Sequence, residues 1–333
     1  MSTWDFERAL IEHGLISDEA PPLPLGSGDR PWFVSLVLGA SGWLASIFLL
    51  FFAFIFFQPD GVVGAGTLGA VMLGAGFALY AADRDDAFFE QFALALSLAG
   101  QLGLLSAVGQ ATESAVGVAV FATLLSAALA VWLPNHFARL LSAFFACIAW
   151  ALVVRLGWWG ENLFGQGQLA VSVGPALVGW IVIWVPIAAG VHVLIDREPR
   201  WMATDSRRVA RPALTGLLAA LSIGTWASEP FAALPFAPPP TDIPVNWLVV
   251  WPLLGVLAAL YAALSAFRLR HRPLIGLAIA GALLHLVQFY YLLGVSLVAK
   301  SVLMIVLGAL GLGAARTLRR RGAAPGSAGG VGP

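Results

Sequence analysis

The sequence predicts an all-α, polytopic integral membrane protein with about ten transmembrane helices and both termini cytoplasmic. Three observations predict it. Of 333 residues, 59% are apolar and 11% charged, with a mean hydropathy of +0.87. An ordinary soluble domain is about 25% charged, so a water-soluble enzyme of one or two domains is excluded. Apolar runs of the length needed to cross a hydrocarbon core of about 30 Å recur between short polar breaks. Finally, the basic residues fall on alternate breaks. Strands do not compete, because membrane strands alternate with period two. These runs are apolar on every face, as a lipid-facing helix must be.

Residues 1–30 are too polar to insert and read as a cytoplasmic N-terminal segment. Within it Thr3–His13 has the pattern of a short amphipathic helix: Thr3 caps it, Asp5 suits its first turn and Gly14 ends it. Its Trp4, Phe6, Leu10 and Ile11 need an apolar surface, either membrane or protein. No cleavable signal peptide is expected ahead of the first span.

The transmembrane domain is expected over 31–318. The first span is Phe33–Phe57, broken by Gln58-Pro59-Asp60-Gly61. Val62–Ala82 follows and ends at Asp83-Arg84-Asp85-Asp86, an acidic turn read as solvated. The third span, Phe88–Val108, carries Glu90, Gln91 and Gln101. After Glu113 comes Ser114–Leu133, stopped by Pro134-Asn135-His136, and then Leu140–Leu156. A Gly-, Trp- and Gln-containing loop leads to Pro175–Ile195. The basic loop Asp196–Arg211 precedes a shorter span, Ala213–Ser228. A Pro-rich loop, Glu229–Asn246, precedes Trp247–Phe267, which Arg268–Arg272 closes. The last two spans, Leu274–Leu293 and Val295–Ala315, are separated only by Gly294. The tail, 319–333, reads as a disordered cytoplasmic segment.

Ten spans put sixteen of the eighteen basic residues on the side of the termini. The two exceptions are Arg155 and Lys300. By the positive-inside rule the arginine-rich side is cytoplasmic. Losing one span would scramble this split. Net charge is zero, so nothing invites nucleic acid. The one cysteine, Cys147, has no intrachain partner.

Two motif matches fail on context. Gly64-Ala65-Gly66-Thr67-Leu68-Gly69 fits G-x-G-x-x-G but lies inside a span, with no strand before it. Gly66, Ala70 and Gly74 read instead as a small-residue ridge for helix packing. Gly294–Ser301 approaches a P-loop, but Ala299 replaces the glycine that lets backbone amides face phosphate. The five histidines have no i, i+4 pair and there is no C-x-x-C, so neither a metal site, a cofactor site nor a catalytic residue is assigned.

Polar residues deep in a span are costly and are therefore the functional candidates. His285 lies about 12 residues into its span, roughly 18 Å at 1.5 Å per residue. Gln288 shares its face, and Gln101 has a similar depth in the third span. These three form a candidate intramembrane polar site; plain interhelical hydrogen bonding is the simpler explanation. On the outer side Lys300, Arg155, Glu113 and Glu161 form a candidate charge cluster, with snorkelling to the headgroups as the simpler explanation. Trp158, Trp159, Trp180, Trp184, Trp247 and Trp251 lie near span ends and read as interfacial belt residues. The loop Arg197–Arg211 is expected on the anionic inner leaflet.

Pro31-Trp32-Phe33 and Gly42-Trp43-Leu44-Ala45 open the first span. Gln288-Phe289-Tyr290-Tyr291 precedes Lys300-Ser301 at the last. With the N-terminal segment ending Gly14-Leu15-Ile16, the chain resembles a bacterial inner-membrane family catalogued as domain of unknown function 4401. The resemblance covers about residues 3–318. It implies a bacterial inner-membrane protein, often encoded beside other uncharacterised membrane proteins, including one with a GDYXXLXY motif. It supplies no catalytic residue and draws attention to Lys300, Tyr290 and Tyr291.

Three functions follow as expectations. The first is a non-catalytic component of a membrane-protein complex, whose partners are the lipid bilayer and other membrane proteins encoded nearby. The second is a secondary transporter using Gln101, His285 and Gln288, although no repeat relates the two halves and spans with polar breaks are lacking. The third is a membrane enzyme acting on lipid or glycan, for which the outer loops offer only Glu113, Glu161, Glu229 and Asp242.

Overall fold

The computed structural model describes residues 32–57, 60–82, 87–160, 173–229, 248–294 and 296–322. The amphipathic helix at 3–13, the turn at 83–86, Glu161, Asp242, Trp247 and the tail beyond 322 lie outside the described residues. Those described are helical, with no strand among them. The helices are α1 (Trp32–Phe57), α2 (Gly61–Ala82), α3 (Ala87–Thr112), α4 (Ala115–Trp132), α5 (His136–Trp159), α6 (Val173–Asp196), the short α7 (Glu198–Met202), α8 (Arg207–Ile223), α9 (Val250–Arg268), α10 (Arg272–Leu292) and α11 (Leu297–Gly322). A 3-10 turn, Gly224–Ser228, continues α8.

Each expected apolar run falls on a helix. Among the described residues seven are long and apolar enough to cross a membrane: α2, α3 from Phe88, α4, α5, α6, α9 and α10. The other expected runs fall on α1, α8 and α11. For α8 the reason is physical. It has 17 residues, and Arg207, Arg208 and Arg211 occupy its first turns.

The chain divides into two compact units, up to Ala107 and from Val108. In the first, small residues let backbones touch. A β-carbon at Gly69 would lie 2.7 Å from Leu104 N and 2.8 Å from Gly100 O, and one at Gly100 would lie 2.7 Å from Gly69 O. Gly76 approaches Ala93 O and Ser97 in the same way. The small-residue packing expected for α2 is present, but on the face of Ala65, Gly69, Met72 and Gly76. Gly74 faces open space and Gly66 meets only Ala107 Cβ at 3.5 Å, so the ridge at 66, 70 and 74 is corrected by one position. The reason is the partner: the glycines of α3, Gly100 and Gly103, stand opposite Gly69. Gly42 of α1 lies against Phe88 O, and Trp43 Nε1 donates to Gln91 Oε1 at 3.2 Å.

In the second unit α8 is central and packs on α5, α6, α9 and α10. Its buried side includes Leu214, Leu218, Ala220 and Leu221, against Cys147, Ala151, Ile183, Trp184, Ala262 and Ala278 of its neighbours. Gly216 sits on the α5 backbone at Leu140 O, and Gly281 of α10 sits on Ser222 O. Glu113, at φ +49°, makes the tight turn between α3 and α4, and the Ser114 side chain caps α4 by accepting from Gly117 N.

A side chain at Gly100 has nowhere to go. Gly100→Val is expected to overpack α2 against α3 and cost about 1–3 kcal/mol. Gly74→Ala, into open space, should leave the thermal unfolding midpoint in detergent unchanged.

Candidate functional site

Six buried polar side chains of the second unit gather where α8 ends. The run Gly224-Thr225-Trp226-Ala227-Ser228-Glu229 leaves the α-helix through the 3-10 turn. Thr225, Ser228 and Glu229 are buried, as are His285 and Gln288 of α10 and Arg155 of α5. His285 Nε2 lies 2.8 Å from Thr225 Oγ1. Trp226 Nε1 donates to Gln288 Oε1 at 2.8 Å, and Gln288 Nε2 donates to both oxygens of Glu229 at 2.8 and 2.7 Å. Trp184 Nε1 donates to Ser228 Oγ at 2.8 Å, and Ser228 Oγ donates to Thr225 O. The charge of Arg155 acts on Glu229 from the facing helix. Gln288 and Arg155 each stand four residues from the end of their helix, which is one turn, about 6 Å.

Packing assigns the His285 tautomer. Its Nδ1 is buried without a hydrogen-bond partner, and a β-carbon on Gly255 would lie 2.6 Å from it. A proton there would point at carbon, and an orphaned N–H is the rarer and costlier defect. The ring is therefore assigned with Nε2–H donating to Thr225 Oγ1. The Trp226 ring meets it edge-on at 5.2 Å.

Glu229 follows the last turn of α8 and lies outside the seven spans. Burial pushes its carboxyl up to about 7, while the Gln288 hydrogen bond and the Arg155 charge pull it down. Glu229 is therefore held by the Gln288 amide, with the charge of Arg155 acting on it through space.

Of the intramembrane candidates, His285 and Gln288 belong to this network. Gln101 belongs to the first unit, where its Nε2 donates to Ser97 Oγ at 3.4 Å, one turn back in its own helix. The outer-side candidates have separate neighbours. Arg155 does not snorkel: it is 6% exposed and turned to Glu229. Lys300 is half-buried, with its Nζ 4.9 Å above the Tyr290 ring. Glu113 is exposed on its turn. The tryptophan belt is also corrected. Trp159, Trp184 and Trp251 are buried within the protein, Trp159 against Gly179 and Trp184 beside Gly224. Trp158 is exposed.

Thr225, Trp226 and Ser228 were not singled out by the sequence. Their signal is the polar run 224–229 closing a span that is too short. The expected span Ala213–Ser228 is α-helical to Ile223 and closes in the 3-10 turn. Among the described residues no group of three or more His, Cys, Asp or Glu could hold a metal ion.

A family model described as Domain of unknown function (DUF4401) matches residues 31–234 and 232–321. No curated protein matches the chain, and no solved structure does.

Arg155→Leu removes a charge that favours the ionised carboxyl of Glu229 and is expected to lower the thermal unfolding midpoint more at pH 8 than at pH 5. For pH, the sign follows from the raised carboxyl. Between an ordinary glutamate pKa of about 4.3 and the folded value of about 7, the folded protein holds a proton that the unfolded chain has lost. Stability therefore falls as pH rises through that window. Glu229→Gln should flatten this slope in unfolding midpoints measured from pH 4.5 to 8.

Proposed function

The chain belongs to the family described as Domain of unknown function (DUF4401), a description with no activity to transfer, and from that premise we propose a non-catalytic role within a membrane-protein complex. In this reading it is a ten-span bacterial inner-membrane protein with both termini cytoplasmic. One observation carries the role: the polar groups buried around the end of α8 are spent on one another. Glu229, Gln288, Trp226, Thr225, Ser228 and Trp184 bond among themselves and are largely shut away from solvent. A network so closed serves shape. An enzyme acting on lipid or glycan needs such groups turned outward to a substrate.

The orientation is supported by the split of basic residues and by the second unit. There the charges of Arg139, Arg211 and His271, from three different cytoplasm-assigned breaks, converge on His136. Arg155 and Glu229, from breaks assigned to the other side, pair at the opposite end. Reporter fusions at residue 30 and after residue 322 should both report a cytoplasmic location.

Purification from native membranes in mild detergent is expected to bring down a second membrane protein in fixed ratio. A lone monomer in every detergent and under in-membrane crosslinking overturns the reading.

Transport is the second reading, favoured by one observation. The turn that ends α8 gathers ionisable side chains, and buried groups of that kind line transporter sites. Protein reconstituted in liposomes should then carry a proton flux that Glu229→Gln abolishes while the fold is retained. No flux from the wild-type protein removes it.

A further inference from the structure

The other end of the second unit presents a different chemistry. Three chain segments meet there: 133–139, 196–211 and 268–272. They carry nine arginines, Arg139, Arg197, Arg200, Arg207, Arg208, Arg211, Arg268, Arg270 and Arg272, against three acids, Asp196, Glu198 and Asp205. One of the acids is engaged, since Asp196 Oδ2 lies 3.3 Å from His192 Nε2. The charges of Arg211, Arg139 and His271 all act on His136, and that of Arg208 on Arg139. Like charges are thus crowded from separate elements, which costs free energy unless an anion lies among them.

The platform is ordered, not a loose charged loop. Trp201 is buried in the core and donates to Leu194 O at 2.7 Å, pinning α7 under the end of α6. Arg139 donates Nη1 to Arg208 O at 2.6 Å and Nε to Leu133 O, tying α5 to the first turn of α8. These bonds use two of its donor nitrogens. Arg207, Arg208, Arg211, Arg270 and Arg272 keep exposed side chains. Arg270 stands at φ +53° on the turn between α9 and α10. The N-termini of α5, α8 and α10 open at this end, and neither Ser206 nor His271 caps its helix with its side chain. Backbone N–H groups and helix dipoles therefore add to the positive field.

We propose that this end binds the phosphate of an anionic phospholipid headgroup. Guanidinium groups from several segments match phosphate oxygens by paired hydrogen bonds. Exposed apolar side chains of α5 and α9 begin immediately beside the cluster, at Phe137 and Phe267. Acyl chains can follow those faces while the phosphate stays at the arginines, as basic pockets between spans allow. That continuity favours a lipid over a free anion. Placing the lipid in the inner leaflet rests on the orientation proposed above; binding does not.

The test uses the full-length protein in nanodiscs of phosphatidylcholine, with or without phosphatidylglycerol. Phosphatidylglycerol should raise the thermal midpoint of the wild-type protein. The double variant R211Q/R270Q, altered only at exposed positions, should lose that rise, and Arg316→Gln on α11 should keep it. Equal response of the double variant and wild type overturns the proposal, as does a wild type indifferent to lipid charge. Inorganic phosphate added to phosphatidylcholine discs should not reproduce the rise; if it does, the ligand is free phosphate and the lipid assignment fails. Asp205→Cys tested in intact cells with a membrane-impermeant thiol reagent separates the two readings. Labelling from outside sinks the orientation and leaves headgroup binding standing.

Discussion

The second unit depends on one constraint. A helix that ends with its polar groups buried in protein must find partners for them there, because water does not reach them. α8 stops at Ile223, and the chain leaves through a 3-10 turn. From that ending the rest follows. Ser228 turns its hydroxyl back to Thr225 O and receives Trp184 Nε1. Thr225 reaches α10 through His285, and Glu229 reaches it through Gln288. Arg155 completes the arrangement from α5. Each side chain is held by a residue on another helix, so the turn fixes the register of its neighbours.

Glycines make that arrangement sterically possible. His285 fits because Gly255 has no side chain in the space the ring fills, and α10 reaches Ser222 because position 281 is glycine. In the first unit Gly69, Gly76, Gly100 and Gly103 also bring backbones into contact, but with little polar chemistry behind them. Ser97 and Gln101 are buried there and bond along one helix. The same packing device thus serves two ends: close van der Waals contact in one unit, and admission of a polar network in the other. Where helices share an apolar solvent, contact of this kind and hydrogen bonding supply the association that water would otherwise drive.

The sequence made the helices legible, since a run of about 20 apolar residues has few other fates in a chain this poor in charge. It also picked out His285 and Gln288, because a polar residue in mid-span is visible without a structure. It did not show their partners. Those lie about 60 positions away on a segment that reads as the end of a span followed by a loop, and Glu229 reads there as an outer acid. Arg155 was visible as an exception to the charge rule, but its cause was not. A long side chain near a span end can snorkel or turn inward, and only the position of Glu229 decides between them. The three buried tryptophans failed for a related reason. Proximity to a helix end says nothing of which face a residue occupies, and Trp159, Trp184 and Trp251 occupy inward ones.

The two ends of the second unit therefore differ in how charge is settled. At the end of Arg155 and Glu229, opposite charges are buried within the protein and act on each other. At the end of Arg139, Arg208 and Arg211, like charges are gathered and left mostly exposed. A chain of zero net charge has no general excess of arginine to dispose of, so this gathering is local. Buried pairing gives the bundle an internal fixed point that does not depend on what surrounds it. Exposed gathering makes the stability of the other end depend on the anions its surroundings supply. The two ends of one unit thus settle charge by opposite means, burial at one and exposure to outside anions at the other.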